Sequence, residues 1–234
     1  MSADKDAFYY QNHKLVLTRD AEACHDLALD IQAKNPRIDM IFSPILDVEK
    51  VVYALPALHP DAAVITTSKN AESIRQKYAD ALHYGIGTVP EIQDVASLVN
   101  HIETHHEKTR PLVYLRGHDV SFDLTQDLRA KGYLIEEHIV YKAHLATSLT
   151  PQFLTALDAG EIAYISFFSA RTAAGFVALL PVALRAKLES IKALCLSAGV
   201  VNSLSELPWQ ECLVTPNKSR AAMVELIQTL YESD

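Results

Sequence analysis

The 234-residue sequence predicts an α/β protein built on parallel sheets. Apolar stretches of strand length alternate with helical patterns along nearly the whole chain, the signature of βαβ units. The alternation falls into two sets, roughly 50–135 and 150–234, preceded by a lone strand–helix pair. One motif also recurs, in "AAVITTSKNAESI" (62–74) and "AYISFFSARTAAGF" (163–176). Each is an apolar strand ending in Ser, with a basic residue within two positions and an Ala-bearing helix behind it.

The elements follow in order. "KLVLTR" (14–19) is a short strand. Residues 20–35 place Ala21, Cys24, Leu27, Ala28 and Ile31 on one helical face, with Asp20 as the N-cap and Pro36 as the stop. Residues 38–51 are extended, and Pro44 bars them from the middle of a sheet. "AAVITT" (62–67) is a strand and "KNAESIRQKYADAL" (69–82) a helix. "ALHYGIG" (81–87) is a weaker strand, 95–107 a helix and "PLVYLRG" (111–117) a buried strand. The next helix, 121–133, takes Ser121 or Asp119 as its cap and Gly132 as its end. "IEEHIVYKAHL" (135–145) is extended. From Pro151 the order is helix 151–159, strand 162–168, helix 171–180, strand 191–196, helix 199–206, strand 211–214 and helix 218–232.

Composition narrows the function classes. Hydrophobic residues make up 49% and charged residues 21%, ordinary for a globular domain. No apolar run approaches the ~18 residues that span a bilayer, so no membrane partner is expected. The opening "MSADKDAFYYQNHK" carries mixed charge and no apolar core, unlike a secretory signal. Three distant cysteines without a CxxC pair suit reduced thiols in a cytoplasm, and Cys195, inside an apolar strand, is not a nucleophile. A net charge of −8 argues against nucleic acid as a partner, while leaving room for a local cationic cleft. His101 and His105 stand one helical turn apart but have no third ligand nearby in sequence, so no metal is expected.

The repeated motif has a specific chemistry. Ligands of open α/β sheets bind beyond the carboxyl ends of the strands. Helix N–H groups there have no internal partner and favour an anion. Ser68 and Ser169 would each add a hydroxyl, and Lys69 and Arg171 a charge. Capping alone is the commonest use of such a serine; its occurrence twice favours an anion-binding cleft between two similar domains.

At this point the sequence resembles the uroporphyrinogen-III synthase family. "LVLTRDAEA" (15–23) resembles its opening strand with Thr-Arg, "FSPILDVEKV" (42–51) its Pro-containing crossing segment and "VITTSKNA" (64–71) its first Thr-Ser motif. "LVYLRGHDVSFDLTQDLRAKGYLIEEHIVY" (112–141) is the most specific stretch. "FFSARTA" (167–173) and "PNKSRAAMVELI" (216–227) complete the set.

The resemblance implies two flavodoxin-like parallel-sheet domains joined by a two-stranded antiparallel linker. Residues 1–36 and 146–234 would form one discontinuous domain, 49–135 an inserted domain, and 37–48 with 136–145 the linker strands. It implies a cofactor-independent, cytoplasmic, monomeric lyase of haem biosynthesis. Its substrate would be hydroxymethylbilane, a linear tetrapyrrole with eight carboxylates, closed with loss of water and inversion of the last ring. Tyr141 matches the family's tyrosine proposed to protonate the leaving hydroxyl. Thr18, Arg19, Thr67, Ser68, Lys69, Arg116, Gly117, Ser169, Arg171, Ser197, Lys218 and Ser219 are the candidate substrate ligands. Two departures stand out. Ser197 and Val200 occupy positions where relatives carry Gly and Thr, and Gly85, Gly87 and Thr88 are a remnant of a longer first-domain loop. The competing reading is a non-catalytic two-domain protein that binds an anionic small molecule, since fold alone does not separate the two.

Overall fold

The computed structural model describes residues 13–51, 57–68, 71, 75–120 and 122–233. Among these residues, ten strands lie in two five-stranded sheets. The chain divides into two compact units, Met1–Asp47 with His144–Asp234, and Val48–Ala143.

The first unit holds β1 (Lys14–Leu17), α1 (Ala21–Lys34) and β2 (Met40–Phe42) from the start of the chain. Its second half supplies α4 (Pro151–Ala159), β8 (Ile162–Phe167), α5 (Ala170–Leu179), β9 (Lys192–Cys195), α6 (Ala198–Leu204), β10 (Glu211–Val214) and α7 (Arg220–Ser233). The sheet order is β10-β9-β8-β1-β2, with every described pairing parallel. Numbered within the unit this is 2-1-3-4-5, the flavodoxin-type doubly wound order, whose switch point lies between β1 and β8.

Local chemistry explains the boundaries. The Asp20 carboxylate accepts from Ala23 N–H at 3.0 Å and opens α1, which ends at Asn35 before Pro36. α4 has Pro151 in its first turn and Gly160 beyond its end at φ 72°, the asymmetry expected of a well-punctuated helix. One sheet face packs Val16, Ile165, Phe167 and Cys195 against Phe153, Phe176 and Val200; the other packs Leu15, Leu17 and Leu194 against Leu27, Ile31, Met223 and Ile227. Both faces are therefore covered by helices, as a parallel sheet requires. A 3₁₀ stretch, Val182–Ser190, fills the link that the sequence left unassigned.

The second unit contains β4 (Ala63–Thr66), β5 (Leu82–Gly85), α2 (Val95–His105), β6 (Leu112–Gly117), α3 (Leu124–Ala130) and most of β7 (Ile135–Leu145). Its sheet order is β3-β7-β6-β4-β5, where β3 is Leu46–Lys50. The β5, β4, β6 and β7 strands repeat the 2-1-3-4 order, with β4 and β6 flanking the switch point. Residues 135–141, which the sequence assigns mostly to a linker, pair in parallel with β6. The α3 cap is a correction: neither Ser121, outside the described residues, nor Asp119 holds that position. Asp123 accepts from Gln126 N–H at 2.9 Å and starts the helix at Leu124. Gly132 ends that turn at φ 89°, as its position predicts. Of the predicted helix at 69–82, residues 69, 70 and 72–74 lie outside the described residues; the described part holds a 3₁₀ turn, Gln76–Tyr78, and its last residue, Leu82, already belongs to β5.

Candidate functional site at the carboxyl edges of the two sheets

In the second unit, a cavity of about 260 Å³ opens at the carboxyl edge of the sheet. Thr67, Ser68, Tyr114, Gly117, Asp119 and Tyr141 supply its polar lining, and Ile86, Val95, Val120, Phe122 and Leu124 its apolar lining. Four residues anticipated from sequence (Thr67, Ser68, Gly117 and Tyr141) meet here. A larger cavity of about 540 Å³ lies among α2 and α3 side chains. Its cation, Lys131, already bonds Glu103 at 3.1 Å and Asp127 at 3.4 Å. The smaller cavity, at the strand ends, is where an α/β sheet presents its ligand groups.

Tyr141 reaches this cavity through a break in register. β7 pairs Leu115↔His138 and Arg116↔Ile139, then Gly117↔Tyr141, so Val140 is an extra residue. Strict alternation would put Val140 and Tyr141 on opposite faces. Instead both pack on the cluster of Val64, Val113 and Leu115. Bulges of this kind re-aim side chains near functional sites. The phenol end of the ring then stands close against Gly117: a Cβ at that position would fall 2.5 Å from Tyr141 Cζ and 2.7 Å from its hydroxyl. His118 N–H donates to the Tyr141 carbonyl at 2.9 Å, fixing the backbone as well.

Two hydroxyls flank this phenol. Thr67 Oγ1 and Tyr114 Oη are 2.9 Å apart, and burial pushes the Tyr114 phenol above its ordinary range. One hydroxyl donates to the other, so the acceptor's own O–H is available to a ligand. The sequence offered Asp119 only as a helix cap and did not single out Tyr114. Its signal was its position near the carboxyl end of a buried strand. Ser68 accepts from Ala71 N–H at 3.3 Å as a helix cap. Lys69 lies outside the described residues.

Arg116 is placed otherwise. Its Nε and Nη2 donate to Glu137 Oε2 and Oε1 at 2.9 and 3.1 Å, and its Nη1 to the carbonyls of Gly117 and His118 at 2.9 and 3.0 Å. Thr125 Oγ1 donates to the same Glu137 at 2.7 Å. The guanidinium holds the Glu137 carboxyl below its usual range, with the Thr125 hydroxyl second, and Glu137 in turn raises Arg116. Arg116 does not line the cavity.

In the first unit, parallel strands bring Thr18, Arg19, Ser169, Ser197, Lys218 and Ser219 to one sheet edge. Thr18 is buried and donates to the Ser166 carbonyl at 2.6 Å, across the β1–β8 switch point. The Arg19 guanidinium carbon stands 4.6 Å over the Phe168 ring, and burial lowers its pKa. Ser169 caps α5, accepting from Thr172 N–H at 3.1 Å, and its hydroxyl meets that of Thr172 at 2.8 Å. Ser219 accepts from Ala222 N–H at 3.1 Å. Arg171 and Lys218 are exposed. Ser197 holds the N-cap position of α6 without a side-chain cap bond, whereas Val200 is buried in the core. The Thr88 hydroxyl closes its own turn on the Gly85 carbonyl at 2.7 Å.

The repeated motif needs one correction. Ser68 follows β4, position 1 in the 2-1-3-4 order of its unit. Ser169 follows β8, the third strand of its own. They are not topological equivalents, although both adjoin a switch point.

Two of the three thiols are shielded by burial. Burial pushes Cys24 and Cys195 up to about 12. Both should therefore be protonated and unreactive to iodoacetamide at pH 8 in the native protein. Unfolding, which restores a pKa near ~8.5, should accelerate their alkylation roughly a thousandfold. Rapid native labelling at either position would contradict the burial argument.

A family model described as uroporphyrinogen-III synthase HemD matches residues 33–225. No curated protein matches the chain. The chain is similar in fold to uroporphyrinogen-III synthetase from Helicobacter pylori, with a TM-score of 0.56 and 18% identity over 93% of this chain and 99% of that one. A mutant uroporphyrinogen III synthase from Thermus thermophilus aligns over 94% of this chain and all (100%) of its own, at 14% identity and a TM-score of 0.48. Among the described residues, no helix is long and apolar enough to cross a membrane.

Proposed function

Since the chain belongs to the uroporphyrinogen-III synthase family, we propose that the cavity beside Tyr141 receives the reacting end of its linear tetrapyrrole. The enzyme is a cyclising lyase of haem biosynthesis. It closes hydroxymethylbilane to uroporphyrinogen III, with loss of water and inversion of the last ring. The observation that carries the site assignment is Tyr141 itself, which the bulge at Val140 turns onto Gly117 and into the cavity lining.

In this reading the Tyr141 hydroxyl gives its proton to the departing hydroxymethyl oxygen. The C–O bond breaks and water leaves, and positive charge remains on the pyrrole chain. Asp119, the anionic group of the lining, faces that charge. The cavity holds the terminal ring while the cationic carbon bonds its substituted α-carbon to give a spiro intermediate; that α-carbon's old bond to the chain then breaks and re-forms at the ring's other α-carbon, and the proton lost there returns to the Tyr141 phenolate, so orientation supplies much of the rate. Within each unit taken by itself, the hydroxyl and helix N–H groups at Ser68 or at Ser169 are the candidate partners for substrate carboxylates, with Lys69 in the second unit and Arg19, Arg171 and Lys218 in the first as candidate charges. We also assign β3 and residues 141–145 to a two-stranded connection. Hydrogen bonds from Ala146 N–H to the Ile45 carbonyl and from Val51 N–H to the Val140 carbonyl support it, because the two pairs run in opposite chain directions.

The site is tested by Thr67→Val, supplied with bilane made in situ. Removing this one hydroxyl should lower kcat/KM roughly 3–10-fold, equivalent to about 1 kcal/mol, and let isomer I leak at limiting enzyme. An unchanged kcat/KM would remove Thr67 from the substrate's path.

A further inference from the structure

We propose that Arg116 is a positioning residue: with Glu137 it braces the bulge that aims Tyr141, and it does not bind a substrate carboxylate. The inference rests on the reading of Tyr141 as the proton donor.

The guanidinium is almost fully engaged. Four N–H···O bonds of 2.9–3.1 Å run from it to Glu137 and to the carbonyls of Gly117 and His118. Arg has five N–H donors, so one remains. A group so engaged has little left to offer an incoming anion, and the anion would also meet the Glu137 carboxylate beside it. The contacts fall on the residues that control Tyr141. Gly117 stands against the phenol end of the ring, and His118 N–H holds the Tyr141 carbonyl at 2.9 Å. Glu137 lies on β7 itself, four residues before Tyr141 and just ahead of the register break. The fork therefore clamps the end of β6 to the start of the bulged segment. A planar bidentate group can do this and a point charge cannot. Thr125 adds a third anchor to Glu137 from α3. The clamp is partly desolvated, with Arg116 side-chain exposure at 15% and Glu137 at 34%.

Kinetics separate bracing from binding. Arg116→Gln, Arg116→Lys and Glu137→Gln should each lower kcat roughly 10–100-fold, since misplacement of a reacting group by about an ångström costs that much. KM should stay within about twofold. Arg116→Lys should not rescue, because it keeps the charge and loses the fork. The Arg116→Gln/Glu137→Gln double variant should be no slower than either single variant. In a Tyr141→Phe background, Glu137→Gln should add no further loss in kcat, whereas a merely structural role would add one.

The opposite pattern overturns the proposal: a raised KM with kcat retained in Arg116→Gln, partial rescue by Arg116→Lys, and tighter substrate binding in Glu137→Gln. If Arg116→Gln fails to fold, Glu137→Gln and the double variant decide by the same criteria. Wild-type kcat in Tyr141→Phe would sink the proton-donor reading instead. A slow Tyr141→Phe beside fast Arg116 and Glu137 variants would sink only the brace.

Discussion

Tyr141→Phe should lower kcat by roughly 10²–10⁴-fold while leaving product affinity nearly unchanged. That range is what a positioned general acid contributes. The substitution deletes one oxygen and keeps the ring, so packing on Val64, Val113 and Leu115 survives. The phenol O–H is a proton donor and can give its proton to a hydroxyl that leaves as water. Deleting an interaction made only in the transition state lowers kcat and kcat/KM alike, with KM steady. Parallel losses in turnover and product binding would instead mark Tyr141 as a ligand of the porphyrinogen rim.

Gly117→Ala should be nearly as damaging to turnover as Tyr141→Phe, although it removes no polar group. The new methyl would stand 2.5–2.8 Å from Tyr141 Cζ, Oη and Cε2, well inside van der Waals range. The atoms it meets are the far end of a side chain, so the ring swings away and the sheet holds. The expected result is a kcat reduced about 100-fold or more, with destabilisation of about 1 kcal/mol, at the low end of overpacking costs. Stability and activity would then part company, which a general weakening of the fold would not produce. If Gly117→Ala keeps full turnover, the phenol does not work from the position seen here. If it unfolds, the ring is fixed more rigidly than this packing argument allows.

Much of the fold was legible in the sequence because its signals are local. Asp20 before an apolar helical face, Thr150-Pro151 ahead of α4, and Gly132 and Gly160 behind their helices each state a boundary in a few residues. The cap of α3 was misread because Asp119, Ser121 and Asp123 all stand before the same helix, and only the backbone selects among them. Strand order was not legible from local signals: β1 pairs with β8, and the Thr18–Ser166 bond closes a separation of 148 residues. For that reason the motif at Ser68 and Ser169 read as one site repeated, although the two serines follow non-equivalent strands.

The candidate site divides along the same line. Thr67, Ser68, Gly117 and Tyr141 were named and share a cavity. Tyr114 was hidden inside an apolar run. Arg116 read as a free cation because its partner Glu137 is 21 residues away and only the β6–β7 pairing, just ahead of the bulge at Val140, brings them together. No periodicity in β7 announces that bulge, which exists only in the pairing with β6.

The central claim is that this chain imposes the inverted ring order on its product. Hydroxymethylbilane generated in situ, with increasing amounts of the protein and chromatographic separation of the oxidised uroporphyrins, measures this directly. Isomer III should replace isomer I, approaching complete conversion once enzyme outpaces the spontaneous closure. Persistent isomer I at high protein, with a raised melting temperature in the presence of uroporphyrinogen, would contradict the account and identify a binding protein instead.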